Sequence, residues 1–149
     1  GPRQSTRAIV PTIITQALKL DQVTLGALAP TRDLNFVSDT VAGFIAAAAA
    51  PPAAAGQVYN LGSGREISIG DLARTVLRLA GAEDKPVSSV DERLRPEASE
   101  VERLCADSTR ARDALGWQPE VPLKEGLARC LDWYTQPANM AHFTAAYRV

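Results

Sequence analysis

Two arginines in this sequence are well placed to bind an anion. Of the 16 basic residues, 13 are arginine, an excess that the base composition of the gene also explains. Arg32 lies just before a predicted strand, and Arg95 lies in a predicted loop beside a proline. A guanidinium on a rigid scaffold can form forked hydrogen bonds to phosphate or carboxylate. Anion binding is one interpretation of these two residues, and a solvated surface arginine is the other.

A pair of glycines follows one predicted strand, which is where a phosphate-binding loop would stand. Gly62 and Gly64 lack the third glycine of a dinucleotide fingerprint, because Ile67 occupies that position. No Walker lysine follows them, and the sequence contains no Tyr-x-x-x-Lys pair. We therefore interpret the glycine pair as a turn and expect no cofactor to bind there.

Histidine and cysteine are too scarce for most metal or nucleophile chemistry. The chain has one histidine, His142, and two cysteines, Cys105 and Cys130. A structural zinc site needs about four such ligands at close spacing, so we expect no metal. A Ser-His-Asp triad would have to use His142 near the C-terminus, where a surface or packing role is the simpler interpretation. Two distant cysteines without a secretory signal indicate reduced thiols and a cytoplasmic location.

The composition is that of a globular domain and argues against two classes of partner. The chain has 149 residues, of which 46% are hydrophobic and 22% charged, and its net charge is −1. A nucleic-acid-binding protein usually shows a basic excess, which is missing here. The longest apolar run, residues 41–55, contains Gly43, Pro51 and Pro52 and is too short and interrupted to span a membrane.

Hydrophobic spacing and capping residues predict short helices alternating with short strands. Helices are predicted from residue 9, from Ser38 or Asp39 to about residue 49, from Ile69 to Leu79, from Asp107 or Ser108 to Leu115, and over residues 123–134. Strands are predicted over residues 22–28, 34–37, 57–61, 86–90 and 101–105. The alternation indicates an α/β or α+β fold in one compact unit.

Several of these helices carry specific signals. Ser68 followed by Asp71 forms an N-cap, and Gly81 stands where a helix-ending glycine belongs. The helix before Pro51 has an apolar face of Val41, Phe44 and Ile45. The last predicted helix places four residues on one side, namely Leu127, Cys130, Leu131 and Tyr134.

An ordered set of short motifs resembles the second half of extended short-chain dehydrogenases that modify nucleotide sugars. These motifs are Gly1-Pro2-Arg3-Gln4-Ser5, Val10-Pro11, Pro30-Thr31-Arg32-Asp33-Leu34-Asn35-Phe36-Val37-Ser38-Asp39, Tyr59-Asn60-Leu61-Gly62, Arg95-Pro96-Glu97-Ala98-Ser99-Glu100-Val101, Asp107 and Leu115-Gly116-Trp117-Gln118-Pro119. The nearest resemblance is to NAD-dependent nucleotide-sugar 4,6-dehydratases of the legionaminic-acid type, which act on an N-acetylglucosamine nucleotide.

The resemblance implies a division of labour between two lobes. In the family, an N-terminal Rossmann lobe holds NAD and the catalytic Tyr-x-x-x-Lys pair, and a C-terminal lobe grips the nucleotide diphosphate. Residues 1–149 match the C-terminal lobe, with one strand–helix unit that belongs to the Rossmann sheet. The chain begins at Gly1 without Met, so we expect it to be part of a larger enzyme. It then carries over no catalytic residue, and we expect no cofactor on this chain alone.

The resemblance also assigns binding roles to individual residues. Arg32 and Arg95 match the two arginines that bind the diphosphate. The pair Leu25 and Gly26 matches a segment near the nucleobase, and Asn60 matches an asparagine that can touch the substrate. A sixth residue, Glu100, matches a position that can reach the ribose.

A physical consequence follows for the chain without its other lobe. The family strand that matches residues 57–61 has its neighbours in the missing lobe, so its backbone groups and apolar surface would be unpaired. We therefore expect self-association, with strand pairing as one route, or a locally altered arrangement.

Three hypotheses of function remain open. The chain is the nucleotide-sugar-binding half of an NAD-dependent dehydratase, a non-enzymatic binding module derived from one, or the same lobe of a 4-epimerase or decarboxylase. A glycine-rich strand–turn–helix encoded upstream of Gly1 would favour an enzyme over a binding module. The residues that separate dehydratase from epimerase lie in the other lobe.

Overall fold

The computed structural model describes residues 1–90 and 101–143, which form a mixed α/β structure. In chain order the elements are α1 (Ile9–Lys19), β1 (Val23–Leu25), β2 (Thr31–Asp33), α2 (Val37–Ala48), a 3-10 turn (Pro52–Ala54), β3 (Glu66–Ser68), α3 (Ile69–Leu79), β4 (Val87–Ser89), β5 (Arg103–Leu104), α4 (Thr109–Leu115), α5 (Leu123–Thr135) and α6 (Pro137–Met140).

The chain divides into two compact units. Unit 1 contains the described residues of Gly1–Pro30, Ser68–Glu102 and Lys124–Val149, and unit 2 contains Thr31–Ile67 and Arg103–Leu123.

Unit 1 is built on a two-stranded parallel sheet. β1 pairs with β4 in the register Val23↔Val87, and helices α1 and α3 pack on each other. The buried apolar side chains of this unit are Ile13, Ile14, Ala17, Val23, Leu25, Ile69, Leu72, Ala73, Val76, Leu77, Leu127, Cys130, Leu131 and Tyr134. They include the four residues predicted for one side of the last helix, so unit 1 has an ordinary hydrophobic core.

The predicted start and end of α3 are confirmed. The Ser68 hydroxyl accepts a hydrogen bond from the Asp71 N–H at 3.0 Å, which satisfies one of the unpaired donors at the helix N-terminus. Gly81 follows the helix at a φ of 65°, the left-handed conformation that glycine adopts without a Cβ penalty.

Unit 2 contains a three-stranded sheet in the order β3-β2-β5 and the helices α2 and α4. β2 runs parallel to β5, with Arg32 opposite Leu104. Among the described residues, the buried hydrophobic side chains of unit 2 are Ala111 and Trp117. Unit 2 therefore has little apolar core of its own.

Much of the apolar surface of unit 2 is exposed. Phe44 and Ile45 of α2 are 70% and 63% exposed, and Val37 and Val41 share that face of the helix. Val58 and Leu104 are exposed as well. The apolar face predicted for α2 is present, but no described residue covers it.

Two predicted strands are wrong in position or absent. Residues 34–37 were predicted as a strand, whereas β2 spans Thr31–Asp33, because that is where the backbone pairs with β5. Residues 57–61 form no strand, since no described segment offers them a ladder to pair with. They are held through α4 instead, where Arg110 Nη1 donates to the carbonyl of Val58 at 3.3 Å.

The cap predicted for α2 is wrong, and of the two residues predicted to cap α4 it is Asp107 that accepts a main-chain hydrogen bond. Phe36 is the N-cap of α2, and its phenyl ring has no acceptor for a capping hydrogen bond. Asp39 lies in the first turn, and its carboxylate accepts hydrogen bonds from Glu120 and Val121 instead of capping the helix. At α4 the Ser108 side chain makes no cap, whereas Asp107 Oδ1 accepts from the Thr109 N–H at 2.9 Å. That bond lowers the pKa of the Asp107 carboxyl.

Candidate functional site

Arg32 is the central residue of the candidate site. It is the middle residue of β2, it is half-buried, and its Nη1 donates to the carbonyl of Thr31 at 2.8 Å. Side chains alternate along a strand, so Arg32 points to the face opposite Thr31 and Asp33. The two neighbours of Arg32 therefore anchor the strand from the other face.

The N-terminal end of β2 is tied to a surface ion pair. The Thr31 hydroxyl donates to Glu66 Oε2 at 3.0 Å, and Arg103 Nε reaches both Glu66 oxygens at 2.8 and 2.9 Å. The hydrogen bond from Arg103 lowers the pKa of the Glu66 carboxyl. The Arg103 side chain is 72% exposed, so solvent and salt weaken this contact.

The C-terminal end of β2 is held by the carboxylate of Asp33. Its Oδ1 accepts from the Ser63 N–H at 2.9 Å and from the Ser63 hydroxyl at 2.5 Å. Its Oδ2 accepts from the Gly64 N–H at 2.9 Å and the Ala106 N–H at 3.2 Å. One carboxylate thus joins the end of β2 to the residues that follow β5 and to the loop of Gly62, Ser63 and Gly64, the glycine loop.

The hydrogen bonds from the glycine loop to Asp33 show whether this loop could bind a phosphate. A phosphate-binding loop presents its backbone N–H groups to the ligand. The N–H groups of Ser63 and Gly64 bind Asp33 instead, and the Gly62 N–H binds the Ser108 hydroxyl at 3.0 Å. The chain bends at Gly64, which has a φ of 69°, and its own side chains satisfy the N–H groups of the loop.

Asn60 lies in the segment that leads to the glycine loop. Its side chain is exposed, and its Nδ2 donates to the carbonyl of Asp107 at 3.3 Å. The Ser108 hydroxyl donates to the carbonyl of Gly62 at 2.9 Å, which fixes the end of the segment. Asn60 and Arg32 thus belong to the same unit, on segments that Asp33 connects.

Leu25 and Gly26 belong to unit 1. Leu25 ends β1 and its side chain is 2% exposed, so it packs in the core and offers no surface to a ligand. Its carbonyl accepts from the Val90 N–H at 3.0 Å. Gly26 is half-buried and is the accessible member of the pair.

The other two predicted site residues, Arg95 and Glu100, lie outside the described residues. The structure thus brings Arg32 and Asn60 into one unit and places Leu25 and Gly26 together in the other. Asp33 was not predicted as a site residue. An acidic residue directly after a strand arginine, with a Gly-Ser-Gly turn later in the chain, is the signal that could have indicated it.

A shallow cavity of about 280 Å³ lies in unit 2. Its lining mixes apolar side chains with Arg65 and two glutamates. Of the four predicted site residues that the structure describes, none lines this cavity. Over residues 1–90 and 101–143, no group of three acidic, histidine or cysteine side chains could hold a metal ion, and no helix is long and apolar enough to cross a bilayer.

Comparison with known proteins identifies the family. A family model described as GDP-mannose 4,6 dehydratase matches residues 1–130. The chain belongs to this family. The sequence-based resemblance to NAD-dependent epimerases and dehydratases of nucleotide sugars is therefore confirmed.

Individual curated relatives lead to the same family assignment. The chain is 38% identical over 138 residues to a UDP-glucose 4-epimerase of Mycolicibacterium smegmatis. This alignment covers 90% of the chain and 42% of the relative. It is 35% identical to a dTDP-glucose 4,6-dehydratase of Streptomyces griseus, over 90% of the chain and 39% of the relative. The chain therefore spans about two fifths of the length of these curated relatives.

A solved structure of the family supports the fold and the cofactor class. The UDP-glucuronic acid 4-epimerase of Bacillus cereus, in complex with UDP-glucuronic acid and NAD, aligns with a TM-score of 0.80 and 28% identity. The alignment covers 91% of this chain and 42% of that one. The relatives are thus NAD(P)-dependent enzymes that act on nucleotide sugars.

The glycine pair of this chain is not a site for the pyrophosphate of NAD. A dinucleotide needs free backbone donors at a glycine turn for its pyrophosphate. The N–H groups of Ser63 and Gly64 are taken by Asp33 instead.

Proposed function

We propose that this chain is the nucleotide-sugar-binding portion of an NAD-dependent dehydratase or epimerase and is not catalytic alone. The observation that carries the proposal is Arg32, a half-buried guanidinium on a strand held at both ends by its neighbours. The family match over residues 1–130 supports the same conclusion.

Arg32 and Arg95 would together bind the diphosphate of the substrate. A guanidinium forms two parallel hydrogen bonds to phosphate oxygens, and both bonds are charge-assisted. Binding energy gained on this non-reacting part of the substrate can be used to orient the sugar. Asn60 and Glu100 would contact the substrate beyond the diphosphate. The segment of Leu25 and Gly26 would lie near the nucleobase, with Gly26 as its accessible residue.

For the substrate, we propose a UDP- or GDP-linked N-acetylglucosamine, and for the complete enzyme a 4,6-dehydratase reaction. NAD and the catalytic residues then belong to an N-terminal Rossmann lobe outside this sequence. The free thiols of Cys105 and Cys130 are consistent with a cytoplasmic enzyme.

The second candidate is the same lobe of a 4-epimerase. The UDP-glucose 4-epimerase of Mycolicibacterium smegmatis is 38% identical to this chain, which favours it specifically. A UDP-glucuronic acid decarboxylase of Xenopus tropicalis is 32% identical to the chain, so a decarboxylase of nucleotide sugars is a further alternative. Product analysis of the complete enzyme would separate these, because a dehydratase releases a 4-keto-6-deoxy sugar and an epimerase a stereoisomer.

Calorimetric titration of the chain tests the proposal. UDP, GDP and their N-acetylglucosamine conjugates are titrated into the wild-type chain, Arg32→Ala and Arg95→Ala, with Arg78→Ala of α3 as the matched control. We expect each site variant to weaken diphosphate binding roughly tenfold to a hundredfold, the range for a charge-assisted hydrogen bond, and the control to bind like wild type. A folded chain that binds none of the nucleotides, or site variants that both retain binding, would contradict the proposal. If the chain binds the nucleotides but the natural protein has no catalytic lobe, a non-enzymatic binding module is favoured instead.

A further inference from the structure

The four hydrogen bonds to Asp33 connect parts of unit 2 that are far apart in sequence. Three donors are backbone N–H groups, at Ser63, Gly64 and Ala106, and the fourth is the Ser63 hydroxyl. These donors lie 30 to 73 residues from Asp33. Because the hydrophobic core of unit 2 is small, such polar links have a large share in fixing its loops.

The glycine loop is shaped for this approach. A β-carbon at Gly62 would lie 2.7 Å from Asp33 Oδ2 and 2.5 Å from the Ala106 Cβ, so any side chain there would push the segments apart. Gly64 has a φ of 69°, which an L side chain rarely adopts. Gly62 is explained by its close approach to Ala106 and Asp33, and Gly64 by its positive φ.

The two ends of β2 are held unequally. The Glu66 contacts at the first end are surface ion-pair contacts, and surface pairs contribute little to structure. At the other end, the carboxylate of Asp33 accepts three main-chain donors, and the part-buried N–H groups of Ser63 and Ala106 lose their acceptor if it is removed. Pairing with β3 and β5 holds the strand itself, and Asp33 fixes the end that directly follows Arg32 more firmly than Glu66 fixes the other end.

We propose that Asp33 is a positioning residue that fixes the main chain at Arg32 and so aims its guanidinium at the substrate diphosphate. The inference rests on the proposed function, because it assumes that Arg32 binds the diphosphate. Asp33 touches no ligand itself. Its hydrogen bonds fix the end of β2 directly after Arg32 and, through Ser63, the segment that carries Asn60.

A double-mutant cycle tests this role. UDP is titrated into the full chain as wild type, Asp33→Asn, Arg32→Ala and the double variant, at several salt concentrations. Asn replaces one acceptor oxygen with an N–H₂ group that faces two N–H donors. We expect Asp33→Asn to weaken UDP binding about tenfold, the scale of one lost charged contact, and to reduce the salt dependence of binding. In the Arg32→Ala background the further loss should be less than about twofold, because the residue through which Asp33 acts is gone.

Two further variants serve as controls, and a third replaces Asp33→Asn if that variant does not fold. Asp113→Asn, an exposed carboxylate on α4, and Glu66→Gln, at the weaker end of β2, should both stay within about twofold of wild type. If Asp33→Asn does not fold, judged by circular dichroism, Ser63→Ala replaces it, since it removes one donor and should weaken UDP binding roughly fivefold.

The outcomes separate the inference from the proposed function. The positioning role would be overturned if the losses of UDP affinity in Asp33→Asn and Arg32→Ala multiply in the double variant. A loss of UDP affinity in Glu66→Gln equal to that in Asp33→Asn would also overturn it. A folded Asp33→Asn with normal UDP affinity and salt dependence would overturn it as well. If Arg32→Ala itself leaves UDP binding unchanged, the proposed site fails, whatever Asp33 does.

Discussion

The indole N–H of Trp117 donates to the main-chain carbonyl of Asp39 at 2.8 Å, across 78 residues of sequence. The Asp39 carboxylate accepts from the N–H groups of Glu120 and Val121 at 3.2 and 3.0 Å. Asp39 is 4% exposed and Trp117 is also 4% exposed. Backbone and side chain of one aspartate thus tie the segment after α4 to helix α2.

Replacing Asp39 should destabilise unit 2. Asp39→Ala leaves two N–H groups of the partner loop without their acceptor, and such a loss costs about 1–3 kcal/mol. Urea unfolding followed by Trp117 fluorescence, in a Trp133→Phe background, measures the loss. Asp113→Ala, an exposed aspartate of the same unit, is the control. An Asp39→Ala midpoint equal to that of the control would show that the loop is held by other contacts.

Two serines near helix starts should behave differently. Ser68 caps α3, so Ser68→Ala should cost about 1 kcal/mol, whereas Ser38→Ala at the uncapped start of α2 should change stability by less than about 0.5 kcal/mol. The Ser68 hydroxyl also lowers the pKa of Asp71, so NMR titration of Ser68→Ala should find that pKa raised. Equal effects of the two substitutions, or an unchanged Asp71 pKa, would contradict the capping assignment.

Tyr134 should make unit 1 sensitive to alkaline pH. Burial, with a smaller contribution from Cys130, raises the pKa of Tyr134 from 10.0 to about 12. A raised pKa in the folded state means that the contribution of the phenol to stability is complete below about pH 10 and is lost as the pH rises toward 12. Tyr134→Phe removes this dependence together with the hydrogen bond to the Gln4 carbonyl at 2.9 Å, and should cost about 1 kcal/mol at neutral pH. Urea unfolding across this pH range should show the advantage of the wild type shrinking, and parallel curves would refute the assignment.

The exposed face of α2 should cause self-association. In a purified sample the available partner is a second copy of the chain, and Phe44 and Ile45 offer it a large apolar surface. Light scattering should show a mass that rises with concentration for wild type and for Leu20→Ser, an exposed apolar residue of unit 1. The variant Phe44→Ser/Ile45→Ser should remain monomeric with an unchanged unfolding midpoint, because the removed side chains are exposed. A monodisperse wild-type monomer at high concentration would contradict this expectation.

The helices of unit 1 could be predicted from sequence because their signals are local. Ser68 and Asp71 mark the start of α3, Gly81 marks its end, and the spacing of Leu127, Cys130, Leu131 and Tyr134 predicts the buried side of α5. Each signal lies within a few residues of the structure that it predicts, so tertiary contacts did not override it.

The strands of unit 2 could not be predicted as well, because pairing decides them. β2 lies at Thr31–Asp33 rather than over residues 34–37 since β5 supplies its ladder there. Residues 57–61 have strand composition but no partner strand among the described residues. The roles of Asp33 and Asp39 could not be predicted either, because their hydrogen-bond partners lie 30 to 82 residues away in sequence.

A comparison of UDP with uridine tests the central proposal most directly. Both ligands are titrated by calorimetry into the wild-type chain and into Arg32→Ala, and the ratio of the two affinities isolates the contribution of the diphosphate. We expect the wild type to prefer UDP at least about tenfold and Arg32→Ala to lose most of that preference. An Arg32→Ala variant that keeps the full preference for UDP, or a folded wild-type chain with none, would contradict the assignment of Arg32 as the residue that grips the diphosphate.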